Sequence, residues 1–272
     1  LGDVYKRQGT GELILHAIEH GYREFIIGIG GSATNDAGLG MLQALGFRFY
    51  DQNGEILGKG GQILDQIVAI DFSSVHPALK DARFTIACDV RNPFSGPEGA
   101  AYVFARQKGA DGAMIEKLDA GMKRFSRLIH STTGREITEV AGAGAAGGLG
   151  GAFLAFLNAE LKPGIELLLR TLKFDEKIKD ADLIITGEGR VDRQSVMGKV
   201  PFGILEEANK QGIPVIVVAG SIADTEVLNK AGFRGIFSIV PSPMSLEVAM
   251  KPEAAKNNIS RTVAQIISLA TL

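Results

Sequence analysis

The chain has no tryptophan, one cysteine and no strong excess of either charge. The single cysteine, Cys88, excludes an internal disulfide and fits a reducing cytosol. With 29 Lys and Arg against 31 Asp and Glu, the net charge is −2, and no basic field is available to hold nucleic acid. Glycine or charge interrupts every apolar run before it is long enough to span a bilayer, and no signal peptide precedes the first helical pattern. The phosphate-loop pattern G-x-x-x-x-G-K-[ST] is also missing. Gly198-Lys199 is followed by Val200, which has no hydroxyl for a magnesium ion, and this speaks against an ordinary P-loop kinase.

What the chain does have is glycine, 35 residues in 272, concentrated in three stretches. They are Gly30-Gly31-Ser32-Ala33-Thr34-Asn35-Asp36, Gly142-Ala143-Gly144-Ala145-Ala146-Gly147-Gly148 and Gly187-Glu188-Gly189-Arg190-Val191-Asp192. Bare backbone lets N–H groups approach an anion closely, and a turn that opens a helix offers the free N–H groups of its first turn to phosphate. Two of the three stretches also carry carboxylates, which suggests a phosphorylated ligand handled with a metal ion.

Apolar periodicity sets these stretches in an α/β frame. Thr10 to His20 reads as a helix, and Phe25 to Ile29 as a parallel strand buried on both faces. A helix capped by Asn35 or Asp36 follows and runs through Leu45. Asp51-Gln52-Asn53-Gly54 between short apolar runs signals a hairpin. Phe84 to Cys88 is a second buried strand, and Met114 to Ile129 holds helical spacing. Gly150 to Leu157 and Ile165 to Leu172 read as two further helices. Beyond them, Leu183 to Ile185, Val215 to Val218 and Gly235 to Val240 are strands that alternate with helical stripes. Such alternation predicts a parallel sheet with helices on both faces, and ligands of that arrangement bind beyond the carboxyl ends of the strands. All three glycine stretches are expected there. Residues 1–8 lack an initiator Met and any periodicity, and are set aside as a non-native leader.

Each motif has a plain structural alternative. Gly142-Ala143-Gly144-Ala145-Ala146-Gly147 matches the dinucleotide fingerprint G-x-G-x-x-G, which would make the protein an NAD-dependent dehydrogenase. The segment before it, Glu136 to Val140, is a poor strand, and the plain alternative is a turn that lets a helix pack tightly. In the first stretch Asn35 and Asp36 could simply cap a helix, but two glycines, two hydroxyls, an amide and a carboxylate in one loop exceed what a cap needs. The third stretch, with Arg193, Gln194, Ser195 and Lys199 close behind, is the densest polar constellation. Glu188 and Asp192 offer oxygen ligands to Mg²⁺, while Arg190 and Lys199 offer positive charge to phosphate. Asp89, after the second strand, is a metal ligand, a base or a turn former. Cys88 reads as core. His16, His20, His76 and His130 carry no assigned chemistry.

Taken in order, these segments resemble the bacterial glycerate kinase family. The resemblance rests on Gly9-Thr10-Gly11-Glu12-Leu13-Ile14, Ile27 through Asp36, Ala87-Cys88-Asp89-Val90, Gln107-Lys108-Gly109-Ala110, Gly142 through Gly148, Ile185 through Asp192, Gln194-Ser195 and Gly198-Lys199-Val200-Pro201. It implies ATP-dependent phosphorylation of D-glycerate with Mg²⁺, giving 2-phosphoglycerate, in the cytoplasm. The partners implied are glycerate and ATP, with no nucleic acid and no membrane; a homo-oligomer is left open. It implies two α/β domains, a family-specific one over residues 9–178 and the C-terminal part of a Rossmann-like or flavodoxin-like one over 179–272. Members usually begin with a strand and an Asp-Ser-x-Lys motif, to which nothing here corresponds. Asp192, Arg190, Lys199 and Asp36 are the expected catalytic residues, with Asp192 favoured as base. Gly30, Gly31, Ser32, Thr34, Asn35, Gly142, Gly144, Gly147 and Gly187 are expected at the nucleotide or substrate, and Asp89, Glu188 and Asp192 at the metal. An inactive nucleotide- or carboxylate-binding fragment is the other alternative.

Overall fold

A computed structural model describes residues 4–32, 34–196 and 198–270. The chain divides into two compact units, residues 1–164 and 165–272.

In the first unit α1 (Val4–Glu19) leads into β1 (Glu24–Gly28), α2 (Leu39–Ala44) and the short strands β2 (Arg48–Tyr50) and β3 (Ala69–Asp71). Then come β4 (Arg83–Ala87), α3 (Ala100–Phe104), α4 (Gly112–Thr133), α5 (Ala145–Phe156) and β5 (Glu160–Lys162). Val4 to Gln8, set aside above as part of a leader, lie within α1, and residues 1–3 fall outside the described residues. The main sheet is parallel, in the order β1-β4-β5, with Phe25 beside Phe84 and Ile27 beside Ile86. One face of it meets α5, where Phe84 and Phe153 rings lie 6.1 Å apart. The expectation that β1 is buried on both faces fails, because Ile26 is 63% exposed on the side of this edge strand away from the core. The Asp51–Gly54 turn forms as read, with Asp51 Oδ1 accepting from Asn53 N and Glu55 N at 2.9 Å each. The ladder partner of β2 is the later β3, antiparallel. Asp111 caps α4 by accepting from Met114 N at 2.8 Å.

The second unit comprises α6 (Gly164–Thr171, whose first residue belongs to the first unit), α7 (Phe174–Lys177), β6 (Ile184–Val191), α8 (Val200–Lys210), β7 (Val215–Ile222) and α9 (Thr225–Ala231). It ends with β8 (Gly235–Ser238), α10 (Leu246–Ala249) and α11 (Pro252–Ala270). Its sheet is parallel, in the order β6-β7-β8. Helices on both faces are observed here. Val215, Val217 and Ala219 pack with Leu205 of α8 and Leu228 of α9, while Ile216 and Val218 pack with Ile266 of α11. A central strand so covered has to be apolar along its whole length, which is why Val215-Ile216-Val217-Val218 is legible in the sequence. The parallel sheet with helices on both faces that the alternation predicts is therefore this one, and the first unit has a three-stranded parallel sheet of its own. Among the described residues no helix is long and apolar enough to cross a membrane.

Candidate active site

The first glycine stretch follows β1. Gly28 and Gly30 have negative φ and open space where a Cβ would stand, so neither torsion nor packing calls for glycine there. Gly31, with φ +66°, needs glycine for its conformation. The result is a length of bare backbone at the carboxyl end of the strand. Beyond it the polar side chains fold inward. Ser32 Oγ lies 3.2 Å from the Thr34 and Ala146 carbonyls. Asp36 is 4% exposed, and its two oxygens accept from Gly38 N and Gly40 N at 3.1 Å each. Those bonds fix the left-handed residues Ala37 and Gly38 and delay α2 to Leu39, whereas the sequence reading starts the helix at Asn35 or Asp36.

A cleft of about 220 Å³ opens at the carboxyl ends of β1 and β4. Gly30, Gly31 and Ser32 form one side of it, with Cys88, Asp89 and Lys108 among the others. Asp89 is exposed, and its Oδ1 accepts from Gly164 N at 2.8 Å. Cys88 packs against the core, as read, but at its margin. It is half-buried at the cleft wall, and burial pushes its thiol up. Lys108 is the residue that sequence reasoning passed over. The motif Gln107-Lys108-Gly109-Ala110 has no apolar period and no partner nearby in sequence, so only the fold shows where its ammonium goes. It donates to the Thr34 carbonyl at 2.6 Å and lies 5.8 Å from the Phe104 ring centre. Burial, and then the nearby Arg7 charge, brings its pKa down to about 8. Arg7 itself is buried and donates to Thr34 Oγ1, Ser32 Oγ and the Ala146 carbonyl.

The second glycine stretch comes to the first. Ala37 N donates to the Gly147 carbonyl at 2.9 Å, and Ala146 shares the cleft with Ser32. Its glycines are there for contact. A Cβ on Gly144 would overlap the Pro93 carbonyl, one on Gly147 the Thr34 carbonyl, and one on Gly150 the Gly142 carbonyl. Gly144 N is already bonded to the Asn92 carbonyl at 3.0 Å. Residues 136–140 form turns and no strand, so the fingerprint lacks the strand–turn–helix setting that dinucleotide binding requires. The plain alternative, tight helix packing, is what this stretch does.

The third stretch is not a turn at a strand end. Its first five residues continue β6, with Glu188 registered on Ala219 and Arg190 on Ser221. Gly187 is a ladder residue against Val218, with too little room above it for an unstrained Cβ. Strand alternation puts Glu188 and Arg190 on one face, and Asp192 follows immediately. A buried Ser195 ties the acids together: its Oγ accepts from Asp192 N at 3.2 Å and donates to Glu188 Oε2 at 3.3 Å. Each acid also faces a cation, with Arg190 Nε 3.1 Å from Asp192 Oδ2 and Lys199 Nζ 3.8 Å from Glu188 Oε1. Two carboxylates held by backbone, hydroxyl and cation form an oxygen-rich group suited to a hard divalent ion that also takes phosphate oxygens. Among the described residues no group of three acids, His or Cys is gathered for a metal.

Known proteins agree with this architecture. The sequence model of the Glycerate kinase family matches residues 4–271. A glycerate kinase of Halalkalibacterium halodurans is 46% identical over 93% of this chain and 68% of its own length. A glycerate 2-kinase of Escherichia coli is 47% identical over 95% of this chain and 68% of its own length. The crystal structure of a Salmonella typhimurium LT2 protein assigned as glycerate kinase 2 superposes with a TM-score of 0.79 at 42% identity, over 97% of this chain and 69% of that one.

Proposed function

Since this chain belongs to the glycerate kinase family, we propose that it transfers the γ-phosphoryl group of ATP to the 2-hydroxyl of D-glycerate. The hydroxyl oxygen attacks the γ-phosphorus, the bond from that phosphorus to the β,γ-bridging oxygen breaks, the hydroxyl proton passes to Asp192, and 2-phosphoglycerate and ADP leave. The observation that carries this reading is the cleft at the ends of β1 and β4, where bare backbone at Gly30 and Gly31 faces the same space as the Lys108 ammonium. Such a cradle suits a phosphate chain, because amides and a desolvated cation bind anions without bulk.

The other roles follow from the charge and the partners of each side chain. Arg190 and Lys199 supply positive charge to the transferring group. Glu188 and Asp192, which Ser195 ties together, would hold Mg²⁺, and the ion would neutralise charge on the phosphate oxygens. Asp36 has both oxygens committed to amides, so it acts as a positioning residue that fixes the loop from Ser32 to Gly38. Thr34 and Asn35 shape the same loop, and Thr34 also holds Lys108 through its carbonyl. Gly147 seats α5 against that loop, Gly142 and Gly144 pack against the Cys88–Pro93 segment, and Gly187 lets β6 lie close to β7. Catalysis then consists mainly of positioning and charge stabilisation.

The test is an ADP-release assay with D-glycerate, run on this chain and on a version lengthened to the full span of its relatives, of which it covers 68%, with the product identified by NMR. Glycerate-dependent release yielding 2-phosphoglycerate is expected. Release that does not respond to glycerate in either version sinks the proposal. Asp192→Asn should lower kcat by at least about a hundredfold, and near-normal turnover would remove Asp192 from the role of base.

A further inference from the structure

The cleft has a neighbour. A second cavity, of about 170 Å³, shares Lys108 with it. Its character is different. Ala105, Ala110, Met114 and Leu118 give it apolar walls, and the segment Thr34 to Asp36 closes another side. Its charged lining residues are Asp36, Asp65, Lys108 and Lys117, with Asp65 and Lys117 3.7 Å apart. Two of its residues hold buried acceptors that lack a hydrogen-bond donor, Asn35 Oδ1 and Asp65 Oδ1. The cavity belongs to the same unit as the cleft.

An apolar chamber next to an anion cradle, with one cation common to both, matches the two halves of a nucleotide. Ligand pockets for molecules of that size usually measure about 300–1,000 Å³. Neither space reaches that size alone; taken together, with Lys108 lining both, they fall within it. The alternatives offered by sequence motifs are closed: no P-loop is present, and the Gly142–Gly148 turn is filled by its own packing. Resting on the kinase reading above, we propose that this cavity receives the base and ribose of the phosphoryl donor, a purine nucleotide. Its phosphates run past Lys108 into the cleft, and the faces of the ring lie against Met114 and Leu118.

The absence of tryptophan makes the idea directly measurable. Met114→Trp puts a single fluorophore on the wall at a position that is 40% exposed and tolerant of a larger side chain. Titration with MgADP should change its emission saturably, while inorganic tripolyphosphate and D-glycerate should leave it unchanged. An emission indifferent to MgADP, or equally responsive to tripolyphosphate, overturns the subsite. Ala110→Phe fills the cavity and should raise KM for ATP at least about tenfold with KM for glycerate unaltered; equal KM values for ATP overturn the proposal as well. Should that variant misfold, the tryptophan titration decides alone. A response to MgADP from a protein that never phosphorylates glycerate would sink the kinase reading and leave the nucleotide subsite standing.

Discussion

Burial lowers the Lys108 ammonium from 10.5 to about 8, with the nearby Arg7 charge pushing the same way and Asp36 opposing. The sign of the consequence differs between folding and binding. Between about 8 and 10.5 the folded chain holds fewer protons than the unfolded one, so this residue's contribution makes stability rise with pH across that window. Anion binding runs the other way, because the charge that attracts phosphate is lost as pH climbs through about 8. The free enzyme's kcat/KM for ATP should therefore fall above about pH 8, and Lys108→Gln should remove that step from the profile. Bound phosphate retains the proton, so any matching fall in kcat lies at higher pH. A profile identical in wild type and variant would deny Lys108 contact with the nucleotide. This residue was legible only as part of a family motif. Its role comes from a carbonyl 74 positions away in sequence, at Thr34, and no spacing rule reports such a contact.

Among the elements, legibility followed burial. β7 is covered on both faces and shows as an unbroken apolar run, and α4 shows through its apolar stripe. The second half of β6 was hidden because Gly-Glu-Gly-Arg reads as a turn, whereas its strand geometry is imposed by the neighbouring β7. β5, three residues long with Glu160 and Lys162 at its ends, had no periodicity to announce it. The start of α2 was misplaced because two left-handed residues intervene after Asp36. The opening of α5 shows how narrow such local solutions are. Gly148 has φ +92° and lies against Ala37 Cα, Met122 Cε and Phe94 Cε2, so a methyl group there meets both torsional strain and overlap. Gly148→Ala should destabilise the fold by about 2–5 kcal/mol in chemical denaturation, adding about 1–2 for the left-handed backbone to about 1–3 for overpacking. A loss below about 1 kcal/mol would show that the junction of α5 with the Ser32–Gly38 loop yields more easily than close packing allows.

At the scale of the molecule the described residues build three hydrophobic clusters, not one. The first gathers α1, α2, α4, α5 and the inner face of β1 and β4; the others lie on the two faces of the β6-β7-β8 sheet. Strand alternation carries the α/β class, whereas the Rossmann-like character of the second half is only what the family resemblance implies. The division into two units, at residues 164 and 165, follows the separate cores, which hydrophobic pattern alone does not partition. Phe153 is fully buried in the first core, so Phe153→Ala should cost about 3–5 kcal/mol there. Hydrogen exchange should report it as lost protection in α4 and α5 while the amides of β7 keep theirs. Equal loss in both units would mean that they unfold as one cooperative body.

The two kinds of glycine offer a way to separate recognition from assembly. Those near Gly144 are keyed to their neighbours, and altering them tests whether the chain folds. Gly30 answers to no neighbour and no unusual torsion; its emptiness faces outward, toward whatever enters. A methyl group at Gly30 should leave the melting temperature within about 1 °C while weakening ATP at least about tenfold, a pairing that damage to the scaffold does not produce.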